Sequence, residues 1–168
     1  IFIPNGEITA FSLADASGRV VAARSVVSLG EGTVIRTLPV PSPQLWSPES
    51  PYLYTLTTSL TGEDGKVIDT KSIKTGVRTI RVSREHGFQL NGQTRKIKGV
   101  CLHHDLGPLG AAINKAALIR QIKMMKSMGC DAIRTSHNMP SQWQMEICDS
   151  LGMMVMAESF DMWLYPKC

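Results

Sequence analysis

The 168-residue sequence lacks the long apolar run that a membrane span requires, since no stretch approaches the roughly 18 apolar residues of a transmembrane helix. Charge of one sign is not concentrated either. The 18 lysines and arginines are scattered along the chain and exceed the 14 aspartates and glutamates by a net charge of +4. Such a distribution predicts neither a nucleic-acid-binding surface nor a polybasic membrane patch. We therefore expect no nucleic-acid partner and no membrane partner.

Cysteine is scarce and is arranged without a motif. The four cysteines, Cys101, Cys130, Cys148 and Cys168, all lie in the second half and contain no Cys-x-x-Cys pair. This density is too low for a disulfide scaffold, so we predict free thiols. The composition, 43% hydrophobic and 19% charged, is that of a soluble globular protein.

The first residues also lack the elements of a signal peptide. The opening IFIPNGEITAF has no positively charged segment followed by an apolar one. It resembles the middle of a β-strand, which predicts a piece of a longer protein.

Up to about Val82 the sequence has the residue pattern of an antiparallel β-protein. Apolar and polar residues alternate in short runs, and turn-forming segments such as DASG and GEDG separate them. The spacing is typical of a β-sandwich. We therefore predict an immunoglobulin-like sandwich over residues 1–82. The predicted strands are EITAFSL, RVVAARSVV, TVIRTLPV, YLYTLTTSL, KVIDTKSI and GVRTIRV.

Residues 83–168 instead alternate between strands and helices. Three mostly apolar segments, KIKGVCL, CDAIRTS and MMVMAES, predict strands. Between them, Asn114 is placed to begin a helix that Gly129 ends, and Ser141 begins a second helix that Gly152 ends. The order β-α-β-α-β predicts parallel strands.

A polar cluster follows each of these strands. The clusters are HHD at 103–105, RTSHN at 134–138 and ESFDMW at 158–163. Because parallel strands deliver their carboxyl ends to one face of a barrel, the three clusters are expected to meet there. Their recurrence after every strand predicts a functional site.

Among the residues of these clusters, Arg134 is the hardest to explain as a purely structural residue. A buried guanidinium cannot lose its charge and requires a carboxylate, but the local sequence offers no obvious partner. The other members have structural explanations: a histidine at a strand end is commonly hydrogen-bonded, and Trp143 and Trp163 fit a packed core.

Four segments in order resemble glycoside hydrolase family 2, the β-galactosidase and β-glucuronidase group. They are LWSPESPYLYTL at 45–56, GVRTI at 76–80, FQLNGQTRKIKGVCLHHD at 88–105 and RTSHNMPS at 134–141. The resemblance implies a sugar-binding-like domain, an immunoglobulin-like sandwich and a (β/α)8 barrel. Residues 1–82 match the sandwich and 83–168 the first three strands and two helices of the barrel, which in full takes about 250 residues.

The implied activity is that of a retaining exo-acting β-glycosidase, which hydrolyses terminal β-D-galactosides in carbohydrate metabolism. Such an enzyme needs two carboxyl groups about 5 Å apart. From the residues alone, Glu158 with Asp105 or Asp161 is the candidate pair. The resemblance implies instead that both catalytic glutamates follow strands four and seven, so this fragment is expected to lack them and to be inactive.

The resemblance also implies roles for residues that are present. Arg134 would support the nucleophilic glutamate, and His103 and His137 would contact sugar hydroxyls. The expected substrate-binding or transition-state-supporting set is His103, Arg134, His137, Asn138, Glu158 and Trp163.

The sequence departs from the commoner family forms at a few positions. His104 stands where glutamate is usual, and Asn138 and Met139 stand where an aromatic residue and a proline are frequent. We expect these departures to affect which sugar is bound more than which reaction is catalysed. ESFDMWLYPK at 158–167 resembles the β-galactosidase type more than the β-glucuronidases.

Several alternatives stay open. A β-glucuronidase or β-mannosidase of the same family is one, and a non-catalytic immunoglobulin-like interaction module is another. A third is a metal-dependent hydrolase with His103, His104, His137 and Glu158 as ligands, although adjacent histidines on a strand point to opposite sides. We expect no cofactor, leaving a cation in the full-length enzyme, a homo-oligomer and the bacterial cytoplasm or periplasm as open options.

Overall fold

The structure, a computed structural model, describes residues 2–3, 8–27, 32–33, 35–161 and 164. It forms two compact units. The first unit combines Ile1–Gln44 with Tyr52–Val77, and the second combines Leu45–Pro51 with Arg78–Cys168. Neither described α-helix is long and apolar enough to cross a membrane.

The first unit is built on a four-stranded antiparallel sheet. Its strands are β2 (Ile8–Ala14), β3 (Val20–Val27), β5 (Tyr54–Thr61) and β6 (Val67–Thr75), in the order β3-β2-β5-β6. A separate two-stranded ladder joins β1 (Phe2–Ile3) to β4 (Gly32–Thr33). Among the described residues of the first unit, Thr9, Leu13 and Tyr54 are buried.

The predicted strand TVIRTLPV is largely wrong. Of this segment, Thr33 belongs to β4, whereas residues 35–40 form no strand and residue 34 lies outside the described residues. Pro39, together with Pro41 and Pro43 just beyond it, supplies the physical reason. Proline has no amide hydrogen to donate to a ladder, and closely spaced prolines prevent continuous pairing.

The segment GVRTIRV contributes its strand to the second unit. β7 (Ile80–Ser83) pairs with β8 (Gly87–Leu90), which pairs in turn with β9 (Gln93–Thr94). Val82, where we predicted the sandwich to end, therefore lies within β7. Asn91 and Gly92 join β8 to β9 with φ angles of 52° and 77°, the left-handed pair that a tight hairpin turn requires.

The second unit contains the parallel sheet that positions the candidate site. β10 (Gly99–Leu102), β11 (Ala132–Thr135) and β12 (Met154–Ala157) are parallel in the order β10-β11-β12. Helix α1 (Lys115–Ser127) connects the first two strands and α2 (Gln142–Leu151) connects the second pair.

Both predicted helix starts and stops are confirmed. The Asn114 side chain accepts a hydrogen bond from the Ala117 amide at 3.0 Å, and Ser141 accepts one from the Gln144 amide at 3.2 Å. Each bond satisfies an amide that has no partner within the helix. Gly152 ends α2 at a φ of 72°, and the Pro48 carbonyl oxygen lies so close that a β-carbon at this position would clash with it.

The helices and the parallel sheet enclose one hydrophobic core. Its buried members are Leu118, Ile122, Ile133, Ile147, Cys148 and Met153. Ile133 lies on the central strand β11, α1 contributes Leu118 and Ile122, and α2 contributes Ile147 and Cys148. Met153 directly precedes β12. This core holds the carboxyl ends of the three strands in fixed register.

Within the second unit, the segment Leu45–Pro51 packs against the rest of the unit through a buried tryptophan. Trp46 is 2% exposed, and its indole Nε1 donates a hydrogen bond to the Asp149 carbonyl at 2.8 Å. The Arg78 guanidinium lies 4.8 Å from the centre of its ring, and Asn91 Nδ2 donates to its carbonyl at 3.0 Å. These contacts explain the tryptophan in LWSPESPYLYTL as a structural anchor.

Two cationic side chains, Arg95 and Lys126, hold the same segment further along. Arg95 binds Glu49 at 2.8 Å and Asp131 at 2.8 Å, which ties the segment to the residue just before β11. The Lys126 ammonium donates to the carbonyls of Pro48, Leu151 and Gly152. The segment is therefore held at Pro48 and Glu49 by side chains that also bind Asp131, just before β11, and the carbonyls at the end of α2.

Candidate functional site

The three polar clusters follow strands that end side by side. Leu102, Thr135 and Ala157 are the last residues of β10, β11 and β12, and they are register partners. The chain continues from them into His103, Ser136 and Glu158. The Ser136 amide donates to the Leu102 carbonyl at 3.1 Å, so the alignment extends one residue beyond the strands.

Glu158 is the carboxylate partner of Arg134. Arg134 Nε donates to Glu158 Oε1 in a close ion pair, and His137 Nδ1 lies 2.9 Å from Glu158 Oε2. The sequence offered no obvious partner because 24 residues separate the arginine from this glutamate. The parallel register removes the separation, since Arg134 pairs with Met156, two residues before Glu158. Arg134 therefore has a carboxylate partner within the chain, and the support of a nucleophilic glutamate outside it, which the family resemblance implies, stays a prediction.

The charges of this pair reinforce one another. Partial burial raises the pKa of Glu158, but hydrogen bonds from His137 and Arg134 outweigh it and hold the pKa below its usual value. The pKa of Arg134 is raised by its contacts with Cys101 and Glu158. Both groups are therefore charged at neutral pH, and the carboxylate acts as a hydrogen-bond acceptor on both oxygens.

The carboxylate also fixes the orientation of a histidine. An ionised carboxylate can only accept, so a neutral His137 ring donates from Nδ1 and presents Nε2 as an acceptor. The His103 ring meets it edge to face, with centroids 5.8 Å apart. Thr135 Oγ1, on a buried side chain, accepts from the Glu158 amide at 3.1 Å and so positions the carboxylate.

The structure thus brings together four of the six predicted site residues, namely His103, Arg134, His137 and Glu158. Asn138 follows His137 directly and is exposed. Trp163 lies outside the described residues. Trp143, for which we favoured a core position, is 43% exposed with the Lys115 ammonium 4.5 Å from its ring centre, so that expectation is wrong.

Cys101 and Ser136 are also neighbours of the site, and neither was predicted from the sequence. Cys101 Sγ lies 3.6 Å from Arg134 Nη1, because Cys101 and Arg134 are register partners on adjacent strands. A signal for it was present. Cys101 precedes His103 by two residues, and residues two apart on a strand face the same side.

The residues that the structure describes do not supply a metal centre. Among them, no three histidine, cysteine, aspartate or glutamate side chains are arranged to hold an ion. His137 and Glu158 bind each other, and Asp105 Oδ1 accepts the Gly107 amide at 2.7 Å. The metal-dependent alternative therefore has no ligand set in this part of the chain.

Relatives of known family share this sequence and fold. Beta-galactosidase BoGH2A of Bacteroides ovatus is 44% identical over 160 residues, which make up 93% of this chain and 19% of that protein. A putative beta-glucuronidase of Formosa agariphila is 44% identical over 152 residues, or 90% and 14% of the two chains. This chain therefore spans less than a fifth of the length of the first curated relatives it matches.

Solved structures give the same result. A glycosyl hydrolase family 2 member from Bacteroides cellulosilyticus superposes with a TM-score of 0.88 at 42% identity, covering 96% of this chain and 21% of that one. A beta-glycosidase from Bacteroides vulgatus superposes with a TM-score of 0.81 at 36% identity, with 96% and 20% coverage.

Two family models divide the chain between them. The model of Glycosyl hydrolases family 2 matches residues 6–78, and the model of the family's TIM barrel domain matches residues 80–162. The chain belongs to glycosyl hydrolases family 2 and comprises an immunoglobulin-like domain followed by the start of the TIM barrel domain.

Proposed function

We propose that this chain is the part of a retaining exo-acting β-glycosidase that contributes sugar-contacting residues, and that the parent protein hydrolyses terminal β-D-galactosides. The parent protein here means the longer protein to which the chain would belong. Support for a longer protein comes from the relatives, of which this chain covers 19% and 14%.

The observation that carries the proposal is the cluster of Arg134, His137 and Glu158 at the carboxyl ends of parallel strands. Active sites of TIM barrels lie at this face. The cluster is ionic, partly exposed and pre-oriented by hydrogen bonds, which is the arrangement that recognises a neutral polyhydroxylated ligand.

The chemistry of such a site follows from its donors and acceptors. A sugar hydroxyl can donate a hydrogen bond to His137 Nε2 or to His103. This hydrogen bond becomes stronger as the sugar ring flattens toward an oxocarbenium ion. Glu158 holds the His137 ring in the orientation this requires, and Arg134 keeps Glu158 ionised. These residues bind and orient the sugar, and none of them is a nucleophile in this proposal.

The two catalytic glutamates belong, in this proposal, to parts of the parent protein outside the present chain. We therefore expect the chain by itself to show no turnover of 4-nitrophenyl β-D-galactoside, because without a nucleophile no glycosyl-enzyme intermediate forms. Turnover by a preparation free of host glycosidase would contradict this expectation.

A β-glucuronidase is the second candidate, and a specific observation favours it. The relative from Formosa agariphila, which is named a putative beta-glucuronidase, matches at 44% identity, the same value as the relative named beta-galactosidase. Family membership therefore leaves the sugar to be decided by experiment.

The test compares sugars on the parent protein. We expect kcat/KM for 4-nitrophenyl β-D-galactoside to exceed those for the β-glucuronide and β-mannoside by at least about tenfold, or about 1.4 kcal/mol. A higher value for the glucuronide would overturn the sugar assignment, and no activity on any of the three would overturn the glycosidase assignment. Arg134→Met should reduce the activity, whereas Arg120→Met, at an exposed position of α1, should not.

A further inference from the structure

The described cysteines differ sharply in their surroundings. Cys101 is exposed, Cys130 is half-buried and Cys148 is buried. Burial raises the pKa of the Cys148 thiol to about 12, so that thiol stays protonated and inert. Cys148 therefore provides an internal reference for the reactivity of Cys101 within the same chain.

Cys101 lies beside a permanent positive charge. Its sulfur is 3.6 Å from Arg134 Nη1, and the two residues are register partners on β10 and β11. An adjacent guanidinium stabilises a thiolate relative to a thiol. Glu158, on the chain following β12, opposes this effect with its negative charge, but it is already bound by Arg134 and His137.

A second group, the Ser136 hydroxyl, lies close to the same sulfur. Ser136 is 3% exposed, and within the described part of the chain its hydroxyl has no hydrogen-bond partner of good geometry. This hydroxyl lies near enough to the Cys101 sulfur to be the largest cause, ahead of Arg134, of the lowered pKa of the Cys101 thiol. A buried hydroxyl without a partner is costly, and a thiolate would supply the missing acceptor.

From this geometry we propose that Cys101 is a covalent modification site for α,β-unsaturated carbonyl compounds. The thiolate sulfur bonds to the β-carbon of the electrophile while the carbon–carbon π bond breaks. The resulting enolate takes a proton from water, so no oxidant, reductant or leaving group is required. The adduct would stand beside Arg134.

The test uses the whole chain and N-ethylmaleimide, which belongs to this class of electrophile. After brief labelling at pH 7, tryptic peptides are quantified by mass spectrometry. We expect Cys101 to react at least about ten times faster than Cys130, and Cys148 not to react. The midpoint of the rate–pH profile of Cys101 should lie below that of N-acetylcysteine measured in parallel.

Three variants separate the electrostatic effect on Cys101 from the effect of its exposure. Arg134→Met should slow the labelling of Cys101 at pH 7 by about tenfold and move the midpoint of its rate–pH profile to higher pH. Arg134→Lys, which keeps the positive charge, should restore part of the labelling rate. Ser136→Ala should slow it by about threefold. The rate of Cys130 in the same digests should stay constant.

The proposal is overturned if the Cys101 profile coincides with that of N-acetylcysteine, or if Arg134→Met changes neither its rate nor its midpoint. Labelling of Cys148 in a variant would show that the variant is unfolded. In that case the comparison of the wild-type Cys101 rate–pH profile with that of N-acetylcysteine decides the proposal. Because labelling requires no glycosidase activity, its failure and the failure of the proposed function are distinguishable.

Discussion

Replacing Trp46 should destabilise the second unit far more than replacing the exposed Trp143. Trp46 is 2% exposed, its Nε1 bonds the Asp149 carbonyl at 2.8 Å, and the Arg78 guanidinium lies 4.8 Å from its ring centre. Trp46→Ala removes all three interactions and leaves a cavity. Trp46→Phe keeps most of the packing and removes the hydrogen bond. Trp143→Phe, at 43% exposure, is the matched control.

The expected magnitudes follow from these contacts. Truncating a buried tryptophan to alanine costs about 3–5 kcal/mol. Loss of the indole donor leaves the Asp149 carbonyl without its partner, which costs about 1–3 kcal/mol. Exposed substitutions stay within about 0.5 kcal/mol. With a urea dependence of about 2 kcal/mol per molar, the midpoints should fall by about 2 M for Trp46→Ala and about 1 M for Trp46→Phe.

The assay must report on the two units separately. Urea denaturation followed by pulsed hydrogen exchange does so, because peptides from β2 and β3 report on the first unit and peptides from α1 to β12 on the second. In the Trp46 variants, only the peptides of the second unit should show a lower urea midpoint. Equal midpoints for Trp46→Phe and Trp143→Phe would refute the view that Trp46 anchors this unit.

Three further predictions concern charge, catalysis and association. Hydrogen bonding from Arg95 lowers the pKa of Glu49 from 4.5 to about 2, so its contribution to stability is present above pH 4.5 and is lost as the pH falls toward 2. Since the Glu49 side chain is 67% exposed, Glu49→Gln should lower the free energy of unfolding by at most about 1 kcal/mol, measured by urea denaturation at pH 7. If the variant and the wild type differ by the same free energy at pH 2, this mechanism is contradicted. In the parent protein, His137→Phe should lower kcat and kcat/KM together by about 2–4 kcal/mol, and an effect confined to KM would show ground-state binding only. Within the described residues the outer edges of β10 and β12 are unpaired, so sedimentation should detect concentration-dependent self-association that Met156→Lys weakens. A monomer at about 100 µM would refute it, since that is well within the range where exposed edges associate.

Local sequence signals identified the helices accurately. Asn114 and Ser141 are N-caps, and Gly152 ends α2, because capping depends on the chemistry of one side chain and its nearest amides. The strand TVIRTLPV failed for a related reason. Its alternation suggested a strand, but Pro39 within it and the prolines just beyond it cannot donate hydrogen bonds to a ladder. This local property should have outweighed the pattern.

Contacts between distant residues could not be predicted in the same way. Nothing near LWSPESPYLYTL indicates that Trp46 packs on Asp149, which is 103 residues away. The ion pair between Arg134 and Glu158 similarly depends on the register of β11 and β12. The strand-end clusters nevertheless predicted that both residues meet at one face, because that inference requires only that the strands be parallel.

The Arg134–Glu158 pair is compatible with the support that the family resemblance implies for a glutamate outside this chain. A guanidinium carries five N–H donors in a fixed plane. Glu158 occupies the donor on Nε, and Cys101 lies beside Nη1. Among the hydrogen bonds recorded for the described residues, none uses the two donors on Nη2. Arg134 can therefore hold Glu158, and through it His137, while Nη2 donates to a second carboxylate that lies in the same plane. An arginine is suited to this double role and a lysine is not, because only the planar fork fixes the angle between two bound carboxylates.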